Sequence, residues 1–373
     1  MGARVDHDRR GVLKKMLTLG AVSLAGACSG SRAALAQPAL TPAQLAGQRV
    51  VFSYPGLTAP ATLLKQIRAA QVAGVIFFGG NISNQAQIAS VIKQLRQAQQ
   101  QSPVSAPLLL MTDQEGGLVR RLPGAPAMSE KQIGASSDPA AAASQAGTGA
   151  GQNLAGVGMN VNLAPVLDVY YESGNFIDQF QRSYSSNGST VAACGKAFIT
   201  AQQQAGVAAT AKHFPGLGSA TTAQNTDTGP VTLNVPLSGL RAKDEAPYPA
   251  AITAGVKLIM ASWAIYPALD ATRPAGLSPA VVQSELRGRL GYQGVTITDA
   301  IEAGALAAFG SHGQRAVLAA QAGMDLLLCS AQDVTEGQAV VRALAGALNS
   351  GQLGSTAFDA AVQRVTALRN GLA

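Results

Sequence analysis

Charged or aromatic side chains stand at the ends of several short apolar runs, where a buried strand would stop: Asp113, Asp168, Lys212, His213, Trp263 and Asp299. A charged side chain beside a buried strand loses hydration, so it is normally paired or used on a ligand. Carboxylates and an ammonium group bind hydroxyls, and an indole ring stacks on the face of a sugar. These residue types predict a cleft for a polyhydroxylated ligand, with Trp263 as its stacking platform.

Each of these residues has a simpler interpretation when taken alone. Asp299 precedes a helix-like stretch that begins near Ile301, and a carboxylate at that position can cap the helix. Five charged residues at the ends of four strands are harder to explain as five separate caps than as one shared cleft. We therefore expect them to meet at one edge of the fold.

Eight short runs rich in β-branched and large apolar residues recur along the chain and predict eight strands. They are residues 50–53, 75–78, 108–112, 159–164, 208–213, 258–262, 295–298 and 324–329. Most gaps hold stretches with apolar residues three and four positions apart, which predict helices: 62–73, 84–100, 140–155, 190–205, 278–290 and 313–322. Two closing helices are expected at residues 334–349 and 356–371.

Continuous apolar strands that alternate with helices predict a parallel sheet covered by helices. Eight such units favour an α/β fold, a single (β/α)8 barrel of the TIM type, in which active-site residues lie at the carboxyl ends of the strands. An open doubly wound sheet is the alternative, but no GxGxxG motif follows the first strand. We expect one barrel domain over residues 49–373, after a lead-in at 37–48.

The first 36 residues have the composition of an export signal. Arg9 and Arg10 form a twin-arginine pair, residues 16–27 are small or apolar, and residues 34–36 fit a cleavage site before Gln37. Residues 24–28 also resemble a lipobox, which would attach a lipid to Cys28. We expect an exported protein, either secreted or periplasmic, or tethered to the membrane as a lipoprotein through Cys28. A cytosolic protein with a basic N-terminus is the alternative.

The net charge of +7 is concentrated at the N-terminus. Residues 1–36 contain six basic and two acidic residues, so the remaining chain carries about +3. No cluster of Lys and Arg with interleaved aromatic residues is found there, which argues against binding to nucleic acid. With three histidines, three cysteines and no CxxC motif, a zinc site of histidine and cysteine is not expected.

Six segments carry the recognisable motifs of the sequence: GVIFF at 74–78, TDQEGG at 112–117 with Arg121, NLAPVLD at 162–168, RSY at 182–184, KHFPG at 212–216 and TD at 298–299. In type and order they resemble glycoside hydrolase family 3, in particular its single-domain β-N-acetylglucosaminidases. The resemblance extends from about residue 50 to residue 330. We expect no second α/β domain after the predicted barrel, unlike in many two-domain β-glucosidases of that family.

The resemblance implies retaining hydrolysis of a β-glycoside, with Asp299 as the nucleophile. It implies a sugar-binding role for Asp113, Arg121, Arg182, Lys212 and His213. A retaining glycosidase forms a covalent glycosyl-enzyme and needs a second group that acts as acid and then as base. The implied mechanism requires no metal ion and no organic cofactor, and the expected partner is a glycan bound by a monomer.

The sequence departs from the family pattern where the acid/base residue is expected. The single-domain enzymes typically have KHFPGHG and then Asp-Ser-His on a loop after the fifth strand, and that Asp–His pair supplies the acid/base. Here Leu217 replaces the first histidine, and Asn225 and Asp227 stand where the pair would be. Asp227 is therefore our candidate for the acid/base. The alternative is that Asp227 only stabilises a turn before Gly229.

The resemblance implies removal of terminal β-N-acetylglucosamine from peptidoglycan fragments or chitooligosaccharides. Two alternatives stay open because the usual acid/base histidine is missing. One is a β-glucosidase or β-xylosidase type of activity on another glycan. The other is a non-catalytic glycan-binding protein that kept the pocket and lost the proton donor.

Overall fold

The computed structural model describes residues 39–372 of the chain. The twin-arginine pair, the lipid site expected at Cys28 and the cleavage site expected before Gln37 lie outside these residues. Within residues 39–372, no helix is both long enough and apolar enough to cross a bilayer.

Eight parallel strands close into a barrel, which confirms the predicted (β/α)8 architecture. In chain order they are β1 (Val50–Phe52), β2 (Gly74–Ile76), β3 (Leu109–Thr112), β4 (Val161–Asn162), β5 (Ala208–Phe214), β6 (Leu258–Ala261), β7 (Val295–Ala300) and β8 (Leu326–Leu328). Each strand pairs with its neighbours in sequence, and β8 returns to β1 with Leu327 opposite Val50. The barrel therefore leaves none of these eight strands with an open edge.

The strands are mainly apolar because both of their faces are buried. In β1, Val51 belongs to the cluster inside the barrel, whereas Val50 and Phe52 belong to a cluster that includes the surrounding helices. Successive side chains of a strand point to opposite faces, so one strand serves two cores. This explains why the sequence shows continuous apolar runs rather than an alternation of apolar and polar residues.

Helices surround the barrel in the gaps between strands. The α-helices are Pro42–Gly47, Ala61–Arg68, Gln85–Gln100, Glu130–Gly134, Pro139–Val157, Gly188–Gln204, Leu237–Gly239, Tyr248–Thr253, His312–Ala322, Val334–Asn349 and Ser355–Asn370. Shorter or wider helical turns are Gly79–Asn81, Asp178–Phe180, Leu240–Asp244, Ala275–Leu277, Ala280–Arg289 and Gly304–Phe309. Helices at or near all eight predicted positions are present. The segment of short helices between β5 and β6 was not predicted.

The last helix, Ser355–Asn370, covers the amino-terminal end of the barrel. Its Val365 and Leu368 join the cluster inside the barrel. The guanidinium of Arg369 donates to the carbonyl oxygens of Ala106 and Pro107, just before β3, at 2.6 Å each. That end of the barrel is therefore closed by packing, and the opposite end, where the strands terminate, is left for a site.

Candidate active site

A cavity of about 440 Å³ lies at the carboxyl ends of the barrel strands. Seven of the eight site residues predicted from the sequence line it: Asp113, Arg121, Arg182, Lys212, His213, Asp227 and Asp299. They come from the ends of β3, β5 and β7 and from the loops that follow β3, β4 and β5. Closure of the barrel is what brings these distant parts of the chain together.

Lys212, near the end of β5, is buried between two carboxylates. Its Nζ lies 2.8 Å from Asp113 Oδ1 and 2.8 Å from Glu115 Oε1. Burial alone lowers the pKa of Lys212, but the charges of Asp113 and Glu115 outweigh burial and raise that pKa above its ordinary value. The ammonium group therefore stays charged, and it holds the Asp113 carboxylate against the cavity wall.

Glu115 holds the positively charged side chains of Lys212 and Arg182, which together with Arg121 form what we call the cationic wall of the cavity. Sequence reasoning did not single out Glu115. It is 1% exposed and binds Arg182 through two bonds, from Nε and from Nη2, each 2.9 Å long. Burial would raise the pKa of Glu115, but Arg182 and Lys212 together lower it to about 2. The available signal was its position in the TDQEGG motif, two residues after Asp113 at the end of a buried strand.

Arg121 adds a free donor to the same wall. Its main-chain N–H donates to the carbonyl oxygen of Asp113 at 3.2 Å, next to the antiparallel pairing of the hairpin strands Gln114–Gly116 and Val119–Arg120. Its Nε is buried and has no hydrogen-bond partner within the described chain. A buried donor without a partner is costly unless a ligand satisfies it, so Arg121 is suited to bind a substrate oxygen.

His213 is held in one orientation by a buried carboxylate. Its Nδ1 lies 2.8 Å from Oδ2 of Asp168, which is 0% exposed. The other oxygen of Asp168 accepts from the main-chain N–H groups of His213 at 3.3 Å and Leu217 at 2.7 Å. A carboxylate at this distance makes Nδ1 the protonated nitrogen, so Nε2 is left as the free ring nitrogen at the cavity.

Asp299, near the end of β7, is half-buried at the cavity. Its Oδ1 accepts from the main-chain N–H of Ala300 at 2.8 Å. Among residues 39–372 it takes part in no salt bridge, in contrast to Asp113 and Glu115. Its carboxylate is thus a negative group of the cavity that is not already committed to a cation, as a nucleophile requires.

Asp227 lies on the loop after β5, and this loop is docked on the segment after β7. The carbonyl oxygens of Asp227 and Thr226 accept from the N–H groups of Gly304 at 2.8 Å and Ala305 at 3.0 Å. A side chain at Gly304 would not fit, because a Cβ there would lie 2.5 Å from the carbonyl carbon of Thr228. The docked loop therefore holds Asp227 at the edge of the cavity.

The turn that carries Asp227 is built by its neighbour Asn225. Asn225 Oδ1 accepts from the main-chain N–H of Asp227 at 2.9 Å, and its carbonyl oxygen accepts from Thr228 and Gly229. Within the described chain the carboxyl of Asp227 accepts no hydrogen bond of this turn. Partial desolvation, and then the nearby charge of Asp299, raise the pKa of Asp227 above its ordinary value.

Trp263 is the predicted site residue that does not line the cavity. Its side chain is 0% exposed, and its indole N–H donates to the carbonyl oxygen of Ala300 at 2.8 Å. A Cβ at Gly276 would lie 2.5 Å from its ring, so the indole is packed tightly on that backbone. The expected stacking of a sugar on Trp263 is therefore wrong. The ring instead supports the main chain next to Asp299.

Three aromatic residues line the cavity and were not predicted as site residues: Phe78, just after β2, and the pair Phe176 and Phe180. Phe176 and Phe180 come from the loop between β4 and helix Gly188–Gln204 and line the cavity. Phe176 is 7% exposed, whereas Phe180 is 44% exposed. Their rings meet edge to face, with centroids 6.1 Å apart. The signal was a pair of aromatic residues in the loop that leads to Arg182.

The polar groups of the cavity suit hydroxyl groups better than a metal ion. Among residues 39–372, no group of three or more His, Cys, Asp or Glu side chains is arranged to hold a metal. Asp113 and Glu115 are neutralised by Lys212 and Arg182, so these two carboxylates are not free to act as ligands of a cation.

Comparison with known proteins agrees with this geometry. Residues 43–368 match the model of the glycosyl hydrolase family 3 N-terminal domain. An uncharacterized secreted glycosyl hydrolase of Arthroderma benhamiae is 48% identical over 344 residues, which cover 91% of this chain and 97% of that protein.

Solved structures give the same result. A family 3 β-N-acetylglucosaminidase from Paenibacillus sp. superposes with a TM-score of 0.84 at 36% identity, covering 90% of this chain, which spans only 63% of that longer chain. A β-N-acetylhexosaminidase from Beutenbergia cavernae superposes with a TM-score of 0.81 at 32% identity, covering 89% of this chain and 99% of the other. The chain described here belongs to glycoside hydrolase family 3 and is a glycoside hydrolase.

Proposed function

We propose that this protein is an exported, retaining β-N-acetylglucosaminidase that removes terminal β-linked N-acetylglucosamine from chitooligosaccharides or peptidoglycan fragments. The observation that carries the proposal is an uncommitted carboxylate, Asp299, in a cavity whose second free carboxyl belongs to Asp227. The substrate is supported by the similarity to the Paenibacillus β-N-acetylglucosaminidase and the Beutenbergia β-N-acetylhexosaminidase. Export is supported by the similarity to the secreted glycosyl hydrolase of Arthroderma benhamiae.

In the proposed mechanism, Asp299 attacks the anomeric carbon and forms a glycosyl ester. Asp227 gives its proton to the glycosidic oxygen, so that the leaving sugar departs as a neutral alcohol. Water then enters, Asp227 takes a proton from it, and the resulting hydroxide breaks the ester. Two inversions at the same carbon give net retention. The raised pKa of Asp227 favours the protonated form that the first step needs.

The cationic wall of the cavity has a binding role in this proposal. Asp113 and the free Nε of Arg121 hold hydroxyls of the terminal N-acetylglucosamine, which is the first sugar of the substrate. Nε2 of His213 contributes a further polar contact to the same sugar. Lys212 and Arg182 act mainly by fixing the carboxylates of Asp113 and Glu115. These groups are paired with each other before substrate arrives, so little reorganisation is needed on binding.

The export step and the lipid tether at Cys28 belong to the same proposal. N-terminal sequencing of protein recovered from the culture medium and from the cell envelope tests both. A start at Gln37 supports a cleaved soluble form, and a blocked, lipid-bearing Cys28 supports the tethered form. An intact Met1 on cytosolic protein contradicts export.

The experiment for the mechanism compares Asp227→Ala with the wild-type protein on two substrates. An activated aryl β-N-acetylglucosaminide needs little protonation, so its first step should survive and the covalent intermediate should accumulate. A β-1,4-linked N-acetylglucosamine disaccharide needs the proton and should lose about 100-fold or more in rate. Azide should restore breakdown of the intermediate and yield a β-glycosyl azide.

Matched controls separate the two carboxyls from general effects. Asp359→Ala removes an exposed carboxylate on the last helix and should leave both rates unchanged. A 2-fluoro glycoside should label Asp299, and Asp299→Ala should abolish turnover. Normal turnover of both substrates by Asp227→Ala would show that another group supplies the proton. Label on a different carboxylate would show that the nucleophile is misassigned.

A further inference from the structure

Phe180 is a large apolar side chain left exposed at a cavity that charged and apolar residues line in similar number. Its exposed fraction is 44%, although Phe176 beside it is 7% exposed. Val119 lines the cavity as well, from the hairpin that carries Arg121. Exposed aromatic rings on concave surfaces commonly mark contact with a ligand.

The loop that carries Phe180 is held firmly at several points. Asp178, which is 1% exposed, accepts from Lys131 Nζ at 2.6 Å and from the N–H of Gly174 at 2.7 Å. Asn175 Nδ2 donates to the carbonyl oxygen of Gly218 at 2.7 Å, which ties this loop to the one that follows β5. The ring of Phe180 therefore starts from a fixed position, and a ligand that covers it orders little additional chain.

The placement of Phe180 distinguishes it from the polar groups that bind the first sugar. Asp113 and His213 lie at strand ends and Arg121 lies on the hairpin after β3, whereas Phe180 projects from the loop after β4 and keeps almost half of its surface in solvent. A phenyl ring has no hydrogen-bonding group, so it cannot select hydroxyls. It can pack on the apolar C–H face of a pyranose, and it then removes that face and itself from water.

We propose that Phe180 is the platform for the leaving sugar, so that the site takes β-linked oligosaccharides by stacking their second sugar on this ring. The inference rests on the proposed glycosidase function and adds a second subsite to it. Phe176 supports the ring edge to face from the core side. In this proposal, Phe180 takes the stacking role that the sequence analysis gave to Trp263.

The test measures kcat/KM for two donors that share the first sugar. One is the β-1,4-linked N-acetylglucosamine disaccharide, and the other is β-N-acetylglucosaminyl fluoride, whose leaving group is too small to reach Phe180. Phe180→Ala should lower the ratio of disaccharide to fluoride activity by about 3- to 10-fold, the range of an aromatic contact. Phe180→Tyr keeps the ring and should restore the ratio. Leu118→Ala is the matched control, because Leu118 is 64% exposed on the neighbouring hairpin turn.

Three results would overturn the assignment of Phe180 to the second subsite. An unchanged ratio in Phe180→Ala, or the same change in Leu118→Ala, overturns the subsite. Equal losses on both donors also overturn it, because they place the effect on the first sugar. If the wild-type protein cleaves neither donor, the proposed function fails. Calorimetry then tests the subsite by itself: the disaccharide must bind more tightly than the monosaccharide, and Phe180→Ala must remove that advantage.

Discussion

Replacing Glu115 by Gln tests whether the cationic wall of the cavity depends on one buried carboxylate. Glu115 binds Arg182 through two bonds of 2.9 Å and Lys212 through one contact of 2.8 Å. Lys212 has a second partner in Asp113, whereas Arg182 has none among the described residues. Glutamine has nearly the same shape, so the substitution removes the charge and leaves the volume almost unchanged.

The size of the effect follows from the pKa of Glu115. Arg182 and Lys212 lower that pKa from 4.5 to about 2, in spite of burial, which acts in the opposite direction. A shift of this size corresponds to about 3 kcal/mol of folding free energy at neutral pH. The same magnitude, about 3–5 kcal/mol, is typical when one partner of a buried ion pair is removed. We therefore expect Glu115→Gln to lower the free energy of unfolding by about 3 kcal/mol at pH 7.

The pH dependence gives this prediction a second check. Because the pKa is lower in the folded state, the stabilisation is complete above the unfolded value of 4.5 and is lost as the pH falls towards 2. Urea unfolding of both proteins at pH 7 and at about pH 3.5 should show the difference shrinking by about 1.4 kcal/mol. Glu172→Gln, at an exposed position, is the control. A difference below about 1 kcal/mol at pH 7, or one independent of pH, would refute the reasoning.

Two further predictions concern the elements around Asp299. Gly304→Ala should displace the loop that carries Asp227 and slow the disaccharide more than an activated aryl glycoside, whereas Gly346→Ala, where a Cβ meets nothing within 4 Å, should slow neither. Burial, and then the charge of Glu302, raise the pKa of Glu336 from 4.5 to about 8, so folding is destabilised as the pH rises between these values. Glu336→Gln cannot ionise and should therefore gain stability relative to the wild-type protein from pH 5 to pH 8, as urea unfolding measures. If the free energies of unfolding of Glu336→Gln and the wild-type protein differ by the same amount at pH 5 and at pH 8, the raised pKa of Glu336 is contradicted.

The barrel was predictable because its strands are buried on both faces. Each predicted strand overlaps the observed one, and the helix predicted at residues 334–349 has the observed bounds, Val334–Asn349. The helical segment between β5 and β6 was missed because its pieces are short; Pro236 and Pro247 precede two of them, and Pro249 lies within the second. Proline interrupts the periodic apolar pattern on which recognition of a helix depends.

The sequence predicts which end of the barrel carries the site, but it does not predict the direction in which each side chain points. A parallel barrel places the residues after its strands at one end, and Asp113, Lys212 and Asp299 follow that rule. Trp263 also follows a strand, yet its ring lies outside the cavity and packs on Gly276. No spacing in the sequence records such a tertiary contact. For the same reason, the partner of Arg182 became visible only when the chain was folded.

The alternative that Asp227 serves only a turn is weakened by the structure of its loop. Asn225 provides the side-chain acceptor of that turn, and Gly304 provides the docking surface. The Asp227 carboxyl is free for the cavity, and its proton affinity depends on its surroundings. In an Asp–His pair the partner carboxylate would control the proton. Here the nearby charge is that of Asp299. Desolvation makes the largest contribution to the raised pKa of Asp227, and the charge of Asp299 makes the next.

This dependence has a direct consequence for the two steps of the proposed reaction. While Asp299 is ionised, its charge keeps the pKa of Asp227 raised, which favours the acid that protonates the leaving oxygen. Once Asp299 becomes a glycosyl ester, that charge is gone, and the pKa of Asp227 must fall. A lower pKa favours the carboxylate, which is the base that the attacking water requires. One residue can therefore serve both steps without a histidine, because formation of the intermediate itself changes the proton affinity of Asp227.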